Sequence, residues 1–283
     1  MTCWNKKEKE LLEEIRNTTL ADDVIAMWFL GQCGFAIKYL DTVILIDPVL
    51  NDLKDEKGNT KRLFEPPFLS EECRCDYIFC THKHSDHMAR ETIVPILSKN
   101  PETKVIIPGA CEPILLDWKI PKEQIVSAEE KKTIPIKDAD VVPISTAHPS
   151  HKKDELGRNM NLAYAIRFGK IQLLHLGDTY LTEELLADMK NLPQIDVLMT
   201  PINGRSFFRE RKGIIGNMSA EEAAELTAEL KPALTIPMHY DMMKGNAADP
   251  LRFVRELQNQ TEGKQRWMLP GLGERVLYKA VDR

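Results

Sequence analysis

The densest set of chemically able side chains lies at Thr81-His82-Lys83-His84-Ser85-Asp86-His87, where three of the chain's seven histidines and a carboxylate fall within six positions. Neutral imidazole and carboxylate are ligands for zinc, and they suit manganese or iron as well. In an extended segment His82 and His84 point the same way, being two residues apart. The pattern "SDHMARETIVPILSKN" predicts a helix that starts with capping chemistry at Ser85 and Asp86. The positive end of its dipole would favour a carboxylate there, or a bound hydroxide. A polar turn after a strand is the ordinary reading of one histidine, but the H-x-H-x-D-H spacing is much more specific to a metal site.

Four side chains from one loop cannot complete the shells of two ions, so further ligands must come from elsewhere. His148 ends "DVVPISTAH", Asp178 ends "IQLLHLGD" and His239 ends "ALTIPMH". Each stands where an apolar strand gives way to a loop, and sites in open α/β sheets form at the carboxyl ends of strands. The motif therefore reads as half of a two-metal centre. His151 lies three residues past His148 and is an alternative ligand or a substrate contact; His148 is preferred because it ends the strand directly. His175 alternates away from Asp178 and reads as a packed or supporting histidine. Two divalent ions about 3.5–4 Å apart generate hydroxide near neutral pH and stabilise negative charge on the attacked oxygen. No G-x-S-x-G elbow is present, and Cys33 and Cys80 lack a clear basic partner, so hydrolysis by this hydroxide is the expected chemistry. Asp86 is expected to steer the water as well as bind metal.

The elements that must position these residues alternate. A helix is predicted over about 5–17, then a strand meander in "VIAMWFL", "FAIKYL" and "TVILID", and a polar loop over 51–62. Strands are predicted at 75–81, 103–109, 139–148, 163–169, 171–178, 195–202, 233–239 and 275–280. Helices are predicted at 111–120, 182–191, 219–231 and 250–260. No linker or repeat divides the chain, so a single mixed α/β domain spanning 1–283 is expected. A net charge of −5 argues against a general nucleic-acid surface, and no apolar run is long enough for a membrane span. The six cysteines, Cys3, Cys33, Cys73, Cys75, Cys80 and Cys111, show no regular framework, and Cys73 and Cys75 read as two ordinary thiols. The stretch "MTCWNKKEKELLEEIR" is charged and helix-like, so reduced thiols in a cytoplasmic protein are expected.

H-x-H-x-D-H with the distant His, the Asp of "GDT" and the final His resembles the metallo-β-lactamase superfamily, from "LGQCGFAIKY" to the closing strand. The resemblance implies an αββα four-layer sandwich with metals on one rim. It places His82, His84 and His148 on one metal, Asp86, His87 and His239 on the other, and Asp178 as the bridge, making Asp86 and Asp178 the catalytic carboxylates. The ions would be Mn2+ or Zn2+.

The substrate must be read from other residues. Asn203-Gly204-Arg205 follows a strand end, with Arg209 four residues on, and guanidinium groups near a metal centre suggest an anionic substrate. "NGR…R…GNM" with "PMHYDM…N" resembles a narrower branch, the L-ascorbate-6-phosphate lactonases. That resemblance implies opening of a phosphorylated sugar-acid lactone in the cytoplasm, in a homo-oligomer. Arg205 and Arg209 would contact phosphate, and Asn203, Asn217, Tyr240 and Asp241 would line the pocket. Ser206 stands where that branch is expected to carry an acidic residue. A phosphodiesterase for a lipid or nucleotide is the alternative enzyme, for which Phe207, Phe208, Met242 and Met243 are the only apolar hints. A non-catalytic metal-binding scaffold would be expected to lack a ligand. Nucleic acid and membrane are not expected partners.

Overall fold

The structure is a computed structural model and describes residues 4–281; Cys3 lies outside them. Along the chain the strands are β1 (Val24–Gly31), β2 (Gly34–Tyr39), β3 (Thr42–Ile46), β4 (Tyr77–Phe79), β5 (Lys104–Pro108), β6 (Ile125–Ala128), β7 (Ile134–Ile136), β8 (Ala139–Ser145), β9 (Leu162–Phe168), β10 (Ile171–His175), β11 (Val197–Pro201), β12 (Leu234–Met238) and β13 (Arg275–Lys279). The helices are α1 (Glu8–Asn17), α2 (Arg90–Lys99), α3 (Glu112–Asp117), α4 (Glu183–Lys190), α5 (Phe207–Glu210), α6 (Ala220–Leu230) and α7 (Pro250–Thr261). One sheet has the order β13-β1-β2-β3-β4-β5-β6, the other β12-β11-β10-β9-β8-β7. β3 to β6 run parallel, as do β10 to β12, and the remaining pairs are antiparallel.

Side-chain alternation explains why the strands of the first sheet are apolar on nearly every residue. Ile25, Met27 and Phe29 of β1 face the second sheet, in one core with Ile166, Leu173 and Leu198. Ala26, Trp28 and Leu30 face the other way, onto Leu11 and Ile15 of α1, Ile93 and Ile96 of α2 and Leu115 of α3. A strand covered on both faces loses the polar half of its pattern. On the far side of the second sheet, Leu185 of α4 and Leu226 of α6 pack onto its strands, and Ala223 and Ala224 of α6 pack against Phe253 and Leu257 of α7. The layers are helix, sheet, sheet, helix, as the resemblance implied. Among the described residues no helix is long and apolar enough to cross a membrane.

Three expectations need correction. The helix expected from Ser85 begins at Arg90; residues 85–89 form turns in which the His87 and Met88 amides donate to His84 O. Asp86 therefore gains nothing from a helix dipole. The strands expected through His148 and Asp178 end at Ser145 and His175. β6, β7 and α5, four residues or fewer each, were not expected, because such short segments carry too little periodicity to read.

At one rim the two sheets are stitched together. The Leu162 amide donates to Thr81 O, the Tyr164 hydroxyl to Cys80 O, and the His239 amide to Gln32 O. Gly177 has a φ of +60°, and a Cβ there would lie 2.6 Å from Thr81 Cβ. Only glycine lets the loop after β10 come this close to the loop after β4.

Candidate metal centre

This rim gathers the sequence-nominated ligands. His82 and His84 lie in the loop after β4, His148 beyond β8, Asp178 beyond β10 and His239 beyond β12. Two groups of donor atoms result, each with all members within 4.8 Å of one another: His82, His84, His148 and Asp178 in one, and Cys33, His87, Asp178 and His239 in the other. Asp178 belongs to both. Its Oδ2 is 3.5 Å from His148 Nε2, and its Oδ1 is 3.3 Å from His87 Nε2 and 3.2 Å from His239 Nε2. In the first group His82 Nε2 lies 2.8 Å from His84 Nδ1.

Hydrogen bonds fix which nitrogens face inward. Asp47, fully buried just past β3, accepts from the Thr81 amide, the Thr81 hydroxyl and His87 Nδ1, each at 2.7 Å. The Nδ1 proton of His87 is committed to that carboxylate, so Nε2 is the nitrogen that faces the second group; Nε2 is buried and makes no hydrogen bond. The Thr81 hydroxyl spends its proton on Asp47 and accepts from His82 Nδ1, 3.1 Å away, which leaves His82 Nε2 free to ligate. A carboxylate behind a ligating imidazole sets its tautomer and raises its basicity.

The electrostatics of the two groups differ. Burial, reinforced by neighbouring His87, holds His82 well below the ordinary histidine range, and burial takes His148 down to about 4. These are neutral imidazoles with lone pairs to offer. At His87 burial also opposes charge, but Asp178, Asp47 and Asp86 outweigh it and raise its pKa well above the usual value; His239 is raised as well, by Asp178 and Asp86. Asp178 is buried, yet His239, His87 and His148 hold it well below the carboxylate range. The second group is thus a place where converging carboxylates favour positive charge. Lone pairs in one group and negative potential in the other, with His87 Nε2 unpartnered, are what a pair of cations requires.

Asp86 stands at the open side. Its side chain is 19% exposed, whereas His87, His148, Asp178 and His239 are at most 5% exposed, so Asp86 and half-buried His84 are the members nearest solvent. Its Oδ2 is 3.8 Å from both His87 Nε2 and His239 Nε2 and accepts from Gln32 Nε2 at 2.8 Å.

The remaining nominated residues fall outside the donor groups. His151 bridges Ser145 Oγ at 2.9 Å and Thr182 Oγ1 at 3.0 Å. Asn203 is buried, accepts from Asn217 Nδ2 and donates to Asn246 Oδ1; Asn217 is itself fully buried and supports the loop from within. Arg209 donates to Asn203 O and Asn246 Oδ1, so it shapes the same loop. Arg205 pairs with Glu222 at the start of α6 and stacks on Tyr180, 4.5 Å from the ring centroid. Tyr240 stacks on Phe29, and Asp241 Oδ1 accepts from the Gln32 amide. Burial raises Asp241 to about 6 despite that bond. His175 Nε2 donates to Cys33 O, since its Nδ1 already accepts from the Gly177 amide. Phe207 and Phe208 are 66% and 71% exposed, so core packing does not account for them, whereas Met242 is buried.

Sequence reasoning missed Gln32, Asp47 and the place of Cys33. Asp47 ends "TVILID" as Asp178 ends "IQLLHLGD", so the strand-end rule that found one carboxylate also covered the other.

Comparison with known proteins identifies the family. The family described as beta-lactamase superfamily domain matches residues 26–239. A UPF0173 protein of Pyrococcus abyssi is 29% identical over 83% of this chain and 90% of its own length. A probable L-ascorbate-6-phosphate lactonase, UlaG, of Salmonella choleraesuis is 22% identical over 85% of this chain and 76% of its own. Igni18, a metallo hydrolase from Ignicoccus hospitalis, superposes with a TM-score of 0.68 at 19% identity, covering 91% of this chain and all of that one. The chain belongs to the metallo-β-lactamase superfamily of metal-dependent hydrolases.

Proposed function

We propose that this chain uses two divalent ions, Mn2+ or Zn2+, to hydrolyse a small anionic substrate, a phosphorylated sugar-acid lactone such as L-ascorbate 6-phosphate. One observation carries the two-ion reading: Asp178 presents Oδ2 to His148 and Oδ1 to His87 and His239, so one carboxylate serves both donor groups. Ions bound there would supply Lewis acidity, lowering the pKa of a water and polarising the oxygen under attack. The chain does the rest. Asp47 and Thr81 hold His87 and His82 with their lone pairs inward. Asp86 is the accessible carboxylate, held by Gln32 where it can orient a water and take its proton.

The lactonase reading rests on the similarity to UlaG and on the cationic loop after β11. Arg205 is an exposed cation there, 37% exposed and held by Glu222 and Tyr180. A phosphate there would share or replace the Glu222 contact. The solvent-facing Phe207 and Phe208 beside it favour a second reading, a phosphoester with an apolar portion. Supplying Mn2+ or Zn2+ to metal-free protein and assaying lactone phosphates beside bis-p-nitrophenyl phosphate separates the two. Turnover of the diester alone would reject the lactonase.

A further inference from the structure

Resting on the two-ion reading, we propose that the Cys33 thiolate is a ligand of the second ion, which makes that position a mixed sulfur, nitrogen and oxygen site. Cys33 Sγ is fully buried and lies 3.8 Å from Asp178 Oδ1, in the group completed by His87 and His239. Around a tetrahedral ion, nitrogen and oxygen ligands about 2.0–2.1 Å from the metal stand about 3.4 Å apart, and a sulfur at about 2.3 Å stands about 3.5 Å from an oxygen. The distances from Asp178 Oδ1 to the two imidazoles, 3.3 and 3.2 Å, and to the thiol, 3.8 Å, are close to those edges. His87 Nε2, buried and without a hydrogen bond, belongs to the same group. Asp86 approaches from the open side and is tied to Gln32.

The turn that carries Cys33 is held by three backbone hydrogen bonds. The Gln32 amide donates to Asp241, Gln32 O accepts from the His239 amide, and Cys33 O accepts from His175 Nε2. Gln32 itself holds a φ of +58°. A left-handed glutamine beside a fully buried thiol is an unfavourable way to build a hairpin unless the thiol is wanted where it lies. On binding, the Sγ–H bond breaks, its proton leaves to the buffer, and sulfur donates the freed pair to the ion. A thiolate shifts preference from manganese toward softer ions such as zinc, cadmium and cobalt.

The test is anaerobic titration of the metal-free full chain with Co2+, following near-ultraviolet sulfur-to-cobalt absorption alongside bound cobalt per chain. The expected result is two ions per chain with that absorption. Cys33→Ser should lose the absorption, keep the visible cobalt bands of the other position, and bind Cd2+ about tenfold or more weakly while Mn2+ changes less. Two bound ions without the absorption in the unaltered protein would overturn the thiolate and leave the two-ion centre standing, whether or not the variant folds. Absorption that persists in Cys33→Ser would also overturn it. Failure to bind cobalt at all would overturn both readings.

Discussion

Replacing Asp47 by Asn probes the tautomer argument without touching an ion ligand. Asp47 accepts three hydrogen bonds at 2.7 Å while 0% exposed, and its φ of +44° lies in the left-handed region that asparagine tolerates. An asparagine can keep its oxygen on the Thr81 amide, which puts its NH2 where Oδ2 stood. That NH2 is a donor, so the Thr81 hydroxyl must turn to accept, and His87 Nδ1 must accept too. The His87 proton then moves to Nε2, onto the nitrogen that faces the second donor group. Losing an outer-shell carboxylate of this kind costs about 10–100-fold in metal affinity, or about 1.4–2.7 kcal/mol. Because the hydrogen bonds are reversed rather than deleted, the metal-free fold should lose less than in Asp47→Ala, where three buried donors are left unpaired at about 1–3 kcal/mol each.

Calorimetric titration with Zn2+ should therefore show binding at the second donor group weakened most in Asp47→Asn, with a smaller loss at the first, whose His82 is linked to Asp47 through the Thr81 hydroxyl. Denaturant melts should place the metal-free Asn variant between the unaltered protein and the Ala variant. Unchanged affinity at both steps would refute the reasoning, because His87 would then not depend on Asp47 for its tautomer.

Asp178→Ala removes the shared carboxylate and should reduce bound metal and turnover together; undiminished turnover would reject its bridging role. Arg205→Gln should raise KM for a phosphorylated substrate more than for its unphosphorylated analogue, and equal effects on both would refute a phosphate contact. His148 gives a pH signature in the metal-free protein. Its folded pKa of about 4 lies below the unfolded value of 6.5, so the unfolded chain binds more protons between these values and stability falls as pH drops through that window. At pH 5 this costs about 2 kcal/mol relative to pH 7.5. The stability difference between the unaltered protein and His148→Gln, measured in urea, should shift against the unaltered protein by that amount, and a pH-independent difference would contradict a buried neutral imidazole.

The fold and the clustering of donor side chains were legible because both rest on periodic signals. Apolar strands ending in His or Asp mark a sheet rim, and six of the nominated donors come from such ends or from the loop between them. What was not legible depends on which side chain meets which. Asp86 was expected to owe its place to a helix dipole, but the helix begins at Arg90, and the side-chain Nε2 of Gln32, 54 positions away, holds it instead. Gln32 and Cys33 sit in a hairpin turn with no ligand spacing of their own; only closure of the two sheets brings them beside His239 and Asp178. Arg205 was expected to contact phosphate, and its present partner, Glu222 of α6, belongs to a capping box that the sequence displays as S-A-E-E. Two glutamate oxygens thus do different work: Oε2 accepts from the Ser219 amide and starts the helix, and Oε1 holds the guanidinium. An anion drawn to Arg205 would compete with a carboxylate already fixed by the fold, which ties substrate affinity to the start of α6 as well as to the arginine.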